Sequence, residues 1–473
     1  MPVSTEGRHL DRLTAVDASF LTNESSASHM HVGAILVFEG PPPKYIDLVE
    51  HVRGRLALVP RFRQKLVVPP LEAGRPLWAD DVNFNLTYHI RHTALPDPGG
   101  EAQLKRLTGR VFSQQLDRSK PLWEMWLVQG LDRDRFAILT KTHHAMVDGV
   151  SGVDIGTVLF DLEPVPEPAE IADDWVPQKE PSTAELVGRG ISDFAAVPVK
   201  AAERALAAVK HPESAARKAV EALEGLSEIV SAFADPAPDV PLNQPIGPHR
   251  RYVWTRSDLA TFKRIKDTFG GTVNDVVLAV VTGALREWLH GRAIRTEGLE
   301  LRALVPVSIR TADERGNLGN RIALMRGPLP VYVEDPVRRL RTISQAMEGL
   351  KRSKQALGAE VISRFNDFAP PTLLAQASRI NFSTRLFNMI VTNVPGPQLP
   401  LYVLGRELEE VFPIAFLPEN HALAVAIMSY NGKVGFGLLA DYDSVEDVDV
   451  LAEGLNASLA ELEAAATAST AAA

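Results

Sequence analysis

A stretch rich in proline, alanine and charged residues, from residue 166 to 248, divides the chain and constrains its fold more than any other feature. On either side of it, short apolar runs of strand type alternate with segments in which apolar residues recur at helical spacing. Such alternation is typical of α/β domains, in which helices pack against a sheet. A structureless loop of this length would be unusual in a compact protein, so the stretch is predicted to be a helical crossover.

The sequence therefore predicts three parts: an N-terminal α/β domain over residues 1–165, the Pro/Ala-rich helical crossover over residues 166–248, and a C-terminal α/β domain over residues 249–473. A chain of 473 residues is long enough for two or three domains at roughly 100–200 residues each. In the first part, residues 32–38 have the apolar pattern of a buried strand, and residues 136–142 are predicted to form another strand. Each α/β domain is thus expected to contain a sheet covered by helices.

Composition excludes several functional classes. The chain has 50 Lys and Arg against 59 Asp and Glu, and the net charge of −9 does not fit a nucleic-acid-binding protein, which normally has a basic surface. It has no cysteine, which removes disulfides, Cys-ligated zinc, iron–sulfur clusters and thiol nucleophiles. Its longest apolar runs are about ten residues, roughly half of what a membrane-spanning helix requires. Since no apolar export signal is visible near Met1 either, we expect a cytoplasmic protein.

The sharpest chemical feature is the heptapeptide HHAMVDG, which runs from His143 to Gly149. It lies where a predicted strand ends and a helix begins, and such loops often carry the active-site residues of α/β proteins. The ordinary pKa of histidine, near 6.5, allows an imidazole to accept and return a proton at neutral pH. Asp148 and Gly149 are also a turn signal, so a structural turn is the alternative interpretation. We predict a catalytic role for the segment.

Other catalytic and ligand-binding motifs are missing from the sequence. A zinc site of the HExxH type would need a glutamate between two histidines, and a third ligand is not nearby either. Ser151 does not lie in the GxSxG elbow of a serine hydrolase. No glycine-rich phosphate-binding loop is present. The sequence therefore predicts neither a metal nor a resident cofactor.

Several other conspicuous residues have a structural interpretation. Residues 121–123, Pro-Leu-Trp, are more typical of core packing than of ligand contact. Thr272 and Asp275 have the spacing of a helix-capping box, which on spacing alone makes Asn274 part of a cap. Residues 392–397 are expected to form a rigid turn after a strand, where a hydroxyl or amide could also donate to an oxyanion. Four histidines in strand-like stretches are also interpreted as structural: His29, His31, His89 and His92.

The HHxxxDG arrangement of residues 143–149 resembles the motif of the CoA-dependent acyltransferase superfamily, which includes chloramphenicol acetyltransferase and peptide-synthetase condensation domains. Further segments resemble the bacterial wax ester synthase/diacylglycerol acyltransferase family and follow its order along the chain. They are residues 13–21 (LTAVDASFL), 121–124 (PLWE), 274–279 (NDVVLA) and 392–397 (TNVPGP). Thr392 departs from the serine that is expected at its position, but it retains the hydroxyl.

This resemblance implies two chloramphenicol-acetyltransferase-like α/β domains, each a mixed sheet with packed helices, with an active-site tunnel at their interface. It implies an O-acyltransferase that moves a fatty acyl group from acyl-CoA to diacylglycerol or a long-chain alcohol. The product would be a triacylglycerol or a wax ester. Acyl-CoA is then a substrate, and no cofactor is needed.

The resemblance also assigns roles to particular residues. His144 would be the general base that removes the proton of the acceptor hydroxyl and later returns it to the CoA thiolate. His143, Asp148 and Gly149 would complete the catalytic motif and orient its loop. The acceptor oxygen would attack the thioester directly, because the sequence has no cysteine and no serine elbow for an acyl-enzyme. Three residues are candidates for substrate or oxyanion contacts: Asn274, Thr392 and Asn393.

Two alternative functions remain at this stage. The chain could be a condensation-type acyltransferase that uses carrier- or CoA-bound acyl groups to make polyketide or other esters, or a non-catalytic lipid-binding scaffold. Because the acceptors and products are poorly soluble in water, we expect peripheral association with a membrane or lipid-body surface. Residues 200–218 carry basic side chains among alanines and could bind such a surface weakly, although an ordinary crossover helix is the alternative.

Overall fold

The computed structural model describes residues 10–70, 75–147, 155–166, 173–186, 188, 235–308, 322–352 and 382–471. The first part contains β1 (Leu10–Arg12), α1 (Ala15–Asn23), β2 (His31–Phe38), α2 (Tyr45–Arg53), β3 (Gln64–Val67), β4 (Leu77–Asp80), α3 (Leu86–His89), β5 (Ile90–Ala94), α4 (Glu101–Phe112), β6 (Trp123–Gln129), β7 (Phe136–His143), α5 (His144–Val147) and α6 (Ile155–Leu159).

The later part contains β8 (Arg250–Asp258), α7 (Leu259–Phe269), α8 (Val273–Gly291), β9 (Leu301–Ser308), β10 (Ile322–Leu329), α9 (Pro336–Arg352), β11 (Met389–Pro395), β12 (Tyr402–Val403), β13 (Arg406–Ile414), β14 (Leu423–Tyr430), β15 (Lys433–Asp441) and α10 (Val448–Ala471). The two predicted strands at residues 32–38 and 136–142 are confirmed as β2 and β7.

The first large sheet has the strand order β12-β13-β2-β7-β6-β5. Its centre is the antiparallel pair of β2 and β7, in which His31 lies opposite His143. Because β5 runs parallel to β6 while the other principal pairs are antiparallel, the sheet is mixed. The side chains of β7 are buried along its whole length, which explains why its first half, Phe136 to Leu139, is a continuous apolar run rather than an alternation.

The second large sheet has the order β10-β9-β11-β14-β15-β8 and is also mixed, since β11 runs parallel to both of its neighbours. α8 packs between the sheet and its neighbouring helices, and most of its side chains are buried. Two mixed sheets with packed helices confirm the predicted fold class. A third, three-stranded sheet has the order β1-β4-β3.

Two strands from late in the chain complete the first sheet rather than the second. β13 pairs with β2 in antiparallel register, with Val411 opposite Leu36 and Ile414 opposite Gly33. Tyr252, on β8 of the second sheet, donates a hydrogen bond from its hydroxyl to Pro413 O at 2.9 Å. The pairing of β13 with β2 and its hydrogen bond to Tyr252 tie the two sheets together. This pairing also carries the residues that follow β13 across to the end of β7.

The described start of the crossover lies on the three-stranded sheet. Arg63 makes a two-pronged ion pair with Asp173, and its guanidinium lies 4.8 Å from the ring centroid of Trp175. Leu186 packs into the small apolar cluster formed by Val67 and its neighbours. This part of the crossover is therefore docked. Residues 200–218, the predicted basic segment, lie outside the described residues.

In the described ranges, no single helix has both the length and the apolar content needed to cross a membrane. α7 and α8 meet these two criteria only as a pair, and the two helices are bent by 100° where they join.

Candidate active site

His143 and His144 lie at the junction of β7 and α5, at one end of the first sheet. The backbone N–H of His143 donates to Leu122 O at 2.9 Å, and that of His144 donates to Met30 O at 2.8 Å. The segments next to both neighbouring strands of the sheet thus fix the backbone of the pair. Asp148 and Gly149, the remaining members of the motif, lie outside the described residues.

Aromatic rings surround the side chain of His144. Phe20, on α1, stacks on its imidazole with a distance of 4.1 Å between ring centroids. Phe416, in the segment after β13, meets the imidazole edge-on at 5.3 Å. Phe382 lies 6.2 Å from Phe20 and extends this apolar wall. Because β13 pairs with β2 in the first sheet, the segment that follows β13 brings Phe416 to His144.

Burial sets the protonation state of His144. Desolvation, together with the nearby His143, lowers the pKa of His144 to about 4, because charging an imidazole away from water is unfavourable. His144 is therefore neutral at pH 7 and can accept a proton. His144 as a whole residue is only partly buried, so the site is open to a reactant.

A buried carboxylate lies behind the histidine pair. The Oε2 atom of Glu24 is 3.6 Å from Nε2 of His143, and its Oε1 atom is 3.3 Å from Nε2 of His31. Arg118 donates from Nε to Oε2 at 2.8 Å. Burial alone would raise the pKa of Glu24, but the contacts with His143 and His31 lower it well below its ordinary value. Glu24 is thus an ionised carboxylate.

Sequence analysis missed Glu24 and treated His31 as an ordinary strand histidine. Glu24 follows the last residue of α1, seven positions before His31, and no motif marks it. The two residues meet His143 only because of the register that places His31 opposite it on β7. The available signal was an acidic residue three positions after the segment of residues 13–21 that carries the family resemblance.

Two structural interpretations are confirmed in this region. Leu122 and Trp123 are buried, and Trp123 donates from Nε1 to Phe62 O at 2.9 Å. His89 stacks on Trp123 with 4.6 Å between ring centroids, and its Nδ1 lies 2.8 Å from Trp123 O. Burial lowers the pKa of His89 to about 4. These residues pack the core beneath the site.

The second sheet brings the predicted amide residues together. Asn393, on β11, donates from Nδ2 to Oδ1 of Asn274 at 3.4 Å. Asn274 lies in the first turn of α8, whose capping box is confirmed by reciprocal hydrogen bonds between Thr272 and Asp275. Thr392 precedes Asn393 on the same strand, and both are half-buried. The amide pair therefore belongs to the second sheet, whereas the histidine pair ends the first.

One expectation about this region is wrong. Residues 392–395 are not part of a turn but continue β11, paired in parallel with β14 from Thr392 opposite Ala426 to Pro395 opposite Ser429. Pro395 is tolerated because β9 pairs with β11 only at Met389 and Ile390, so the side of the strand that faces away from β14 is an open edge at Pro395. The chain leaves the strand at Gly396. A Cβ atom there would lie 2.3 Å from Ser429 O, so a larger residue would not fit this close approach.

Among the residues that the structure describes, no group of three or more histidine, aspartate or glutamate side chains is arranged to hold a metal ion.

Comparison with known proteins identifies the family. The model of the wax ester synthase/diacylglycerol acyltransferase catalytic domain matches residues 13–277, and that of the family's C-terminal domain matches residues 318–463. A relative from Mycobacterium tuberculosis, named a probable diacylglycerol O-acyltransferase, is 34% identical over 462 residues, which cover 96% of each chain.

Solved structures agree. The wax ester synthase/diacylglycerol acyltransferase from Marinobacter aquaeolei VT8 superposes with a TM-score of 0.69 at 27% identity, over 97% of this chain and 100% of that chain. The first condensation domain of the calcium-dependent antibiotic synthetase has a TM-score of 0.57 at 16% identity, over 96% of each chain, and shows the same fold. The family resemblance seen in the sequence is confirmed: this chain belongs to the wax ester synthase/diacylglycerol acyltransferase family and is an acyltransferase.

Proposed function

We propose that this enzyme transfers a fatty acyl group from acyl-CoA to the hydroxyl of diacylglycerol or a long-chain alcohol, with His144 as general base. The observation that carries this proposal is the neutral imidazole of His144, a residue that is only partly buried and is walled by Phe20 and Phe416. Such a wall suits an acyl chain and keeps water away from the reacting thioester. The names of the relatives support diacylglycerol and alcohol as acceptors.

In the proposed reaction, His144 accepts the hydroxyl proton while the acceptor oxygen attacks the thioester carbonyl carbon. The C–O bond forms, the C–S bond breaks, and the protonated His144 returns the proton to the CoA thiolate. The lowered pKa of His144, about 4, makes it a weak base but a strong acid once protonated. Because an ordinary thiol has a pKa near 8.5, return of the proton to the thiolate is favourable.

Asn274 is the proposed donor to the oxyanion that develops on the carbonyl oxygen. Its Oδ1 already accepts a hydrogen bond from Asn393, so its side-chain NH2 is the group left to donate. The hydroxyl of Thr392 is a second candidate donor on the adjacent strand. His143, Asp148 and Gly149 are proposed to shape the loop that presents His144.

Product analysis tests the proposed reaction. The purified enzyme is incubated with palmitoyl-CoA and either hexadecanol or dioleoylglycerol, and the lipids are separated by chromatography. Ester or triacylglycerol that depends on the added acceptor is the expected result. Turnover only with carrier-bound acyl groups would replace this function with a condensation-type reaction. Lipid binding without acyl transfer would leave a non-catalytic scaffold.

We also propose that the enzyme works at the surface of a membrane or lipid body. The proposed acceptor is insoluble in water, so an enzyme that stayed in solution would rarely meet it. Weak interfacial binding is reversible, so the protein should sediment in part with membranes or lipid bodies and be released by mild washing. A protein that stays wholly in solution in lipid-loaded cells, or that requires detergent for extraction, would contradict this proposal.

A further inference from the structure

The carboxylate of Glu24 has no part in the reaction proposed above, yet the chain pays for its burial. Its side chain is 3% exposed, and removal of an ion of this kind from water costs several kcal/mol unless partners compensate. Three partners do so: His143, His31 and Arg118. Arg118 is about half exposed and could hold a carboxylate at the surface equally well. The position of Glu24 directly behind the histidine pair therefore requires a separate explanation.

The hydrogen bonding of His143 supplies this explanation. Its Nδ1 accepts the backbone N–H of Ala145 at 3.1 Å, so this nitrogen must be unprotonated. The ring proton consequently lies on Nε2, the atom that faces Oε2 of Glu24 at 3.6 Å. A negative charge at this position favours this tautomer over the one with the proton on Nδ1. In the other tautomer, the Nδ1–H group of His143 would face the backbone N–H of Ala145, so two donors would point at each other.

The bond to Ala145 lies within the first turn of α5, the four-residue helix that begins at His144. The orientation of this turn therefore depends on the tautomer of His143, and the tautomer depends on Glu24. Arg118 connects the same carboxylate to the end of α1, because it also donates from Nη2 to Leu21 O at 2.9 Å. The adjacent Phe20 stacks on His144. Glu24 is thus linked to both supports of the His144 ring, directly to His143 and through Arg118 to the end of α1.

We propose that Glu24 is a positioning residue for acyl transfer: acting through His143, it holds the first turn of α5 so that His144 is aligned for proton transfer. This inference rests on the proposed role of His144 as general base. A purely structural role, in which Glu24 stabilises the fold through its ion pairs, is the competing explanation. If Glu24 is a positioning residue, its effect on turnover requires His144. If its role is purely structural, the effect is the same with and without His144.

A double-mutant cycle separates them. Glu24→Gln keeps the size of the side chain but removes its charge. It should lower kcat roughly 10–100-fold, as loss of an orienting partner typically does, with little change in KM for acyl-CoA. Added to His144→Ala, the same substitution should cause no further loss, because residues that act as one unit are not additive. The matched control is Glu50→Gln, which removes a carboxylate that is 58% exposed and should leave kcat unchanged.

Glu24→Asp keeps the charge on a shorter side chain and should restore part of the turnover that Glu24→Gln loses. If Glu24→Gln does not fold, as judged by circular dichroism and thermal unfolding, Glu24→Asp takes its place in the cycle. Wild-type kcat in the folded variant, or an equal fold loss with and without His144, would overturn the inference. Wild-type activity of His144→Ala alone would instead refute the proposed function, so the two failures are distinguishable.

Discussion

At the residue scale, the surroundings of His144 determine both its charge and the partners it can reach. Phe20 and Phe416 remove water from two sides of the imidazole, and the cost of charging it there lowers its pKa. Glu24, on the far side of His143 from His144, remains ionised because His143, His31 and Arg118 surround it. A neutral base and a fixed carboxylate thus lie close together, separated by His143.

The fall of kcat/KM on the acid side should therefore occur at a lower pH than it would if the general base were a histidine of ordinary pKa. Because His144 must be neutral to accept a proton and its pKa is about 4, kcat/KM should stay flat from pH 7 to near pH 5 and fall as the pH approaches that pKa. Initial rates across this range measure the limb, with circular dichroism at each pH as the control for folding. A midpoint near 6.5, the ordinary value for histidine, would contradict the assignment.

At the element scale, the end of β7 is held by a buried lysine. Lys141, two residues before His143, donates from Nζ to Val111 O at 3.0 Å and to Gln114 O at 2.5 Å. These carbonyls lie at and just beyond the C-terminal end of α4, where a positive charge also suits the helix dipole. Burial lowers the pKa of Lys141 to about 8. The contact anchors α4 to the strand that presents the catalytic pair.

Removal of this contact should destabilise the fold. Lys141→Met fills the same space but removes both hydrogen bonds that the buried ammonium makes, to Val111 O and Gln114 O, and bonds of this kind are worth about 1–3 kcal/mol. Urea titration at pH 7 measures the free energy of unfolding. Lys44→Met, at an exposed position, is the control and should change it by no more than about 0.5 kcal/mol. Equal stability of the two variants would show that the buried ammonium contributes nothing.

The sequence predicts an element when its signal is local, and it does not predict which distant segment the element pairs with. β2 and β7 were predictable because burial on both faces leaves a short apolar run in each, Ile35 to Phe38 in β2 and Phe136 to Leu139 in β7. The capping box of α8 was predictable because it is local. The place of β13 beside β2 was not, since periodicity indicates a strand but not its partner. The meeting of Glu24 with His143 depends on the register of β2 with β7, which is also long-range, and escaped detection for the same reason.

At the scale of the whole molecule, a buried arginine joins the two sheets in addition to β13. Arg250, at the start of β8, donates from Nη1 to Gly247 O at 2.6 Å and also bonds through Nη2 to Ala27 O, in the loop between Glu24 and His31. Arg250 also forms an ion pair with Asp441 on β15, with 3.6 Å between Nη1 and Oδ1. The second sheet is thus anchored to the loop that leads into the histidine site.

Buried neutral histidines should make the stability of the whole molecule depend on pH. Burial lowers the pKa values of His89 and His421 to about 4, against 6.5 for an exposed histidine. Between these values the unfolded chain binds more protons, so stability is greatest above pH 6.5 and falls as the pH decreases towards 4. At 1.36 kcal/mol per pKa unit, each residue should cost about 2 kcal/mol between pH 7 and pH 5.

Urea titrations at pH 7 and pH 5 measure this difference. His89→Phe, which removes one of these titrating groups and keeps a ring against Trp123, should reduce it by about 2 kcal/mol. Stability that is the same at both pH values in the unsubstituted protein would contradict the assignment of these histidines as buried and neutral.

If His144 is the general base of acyl transfer, His144→Ala should lose most of its kcat/KM. The assay uses palmitoyl-CoA with dioleoylglycerol or hexadecanol, and thermal unfolding verifies that the variant is folded. We expect a loss of at least about 100-fold, the lower end of what a general base contributes. His92→Ala, at an exposed histidine on β5, is the matched control and should retain its activity. A folded His144→Ala enzyme with near wild-type kcat/KM would contradict the account.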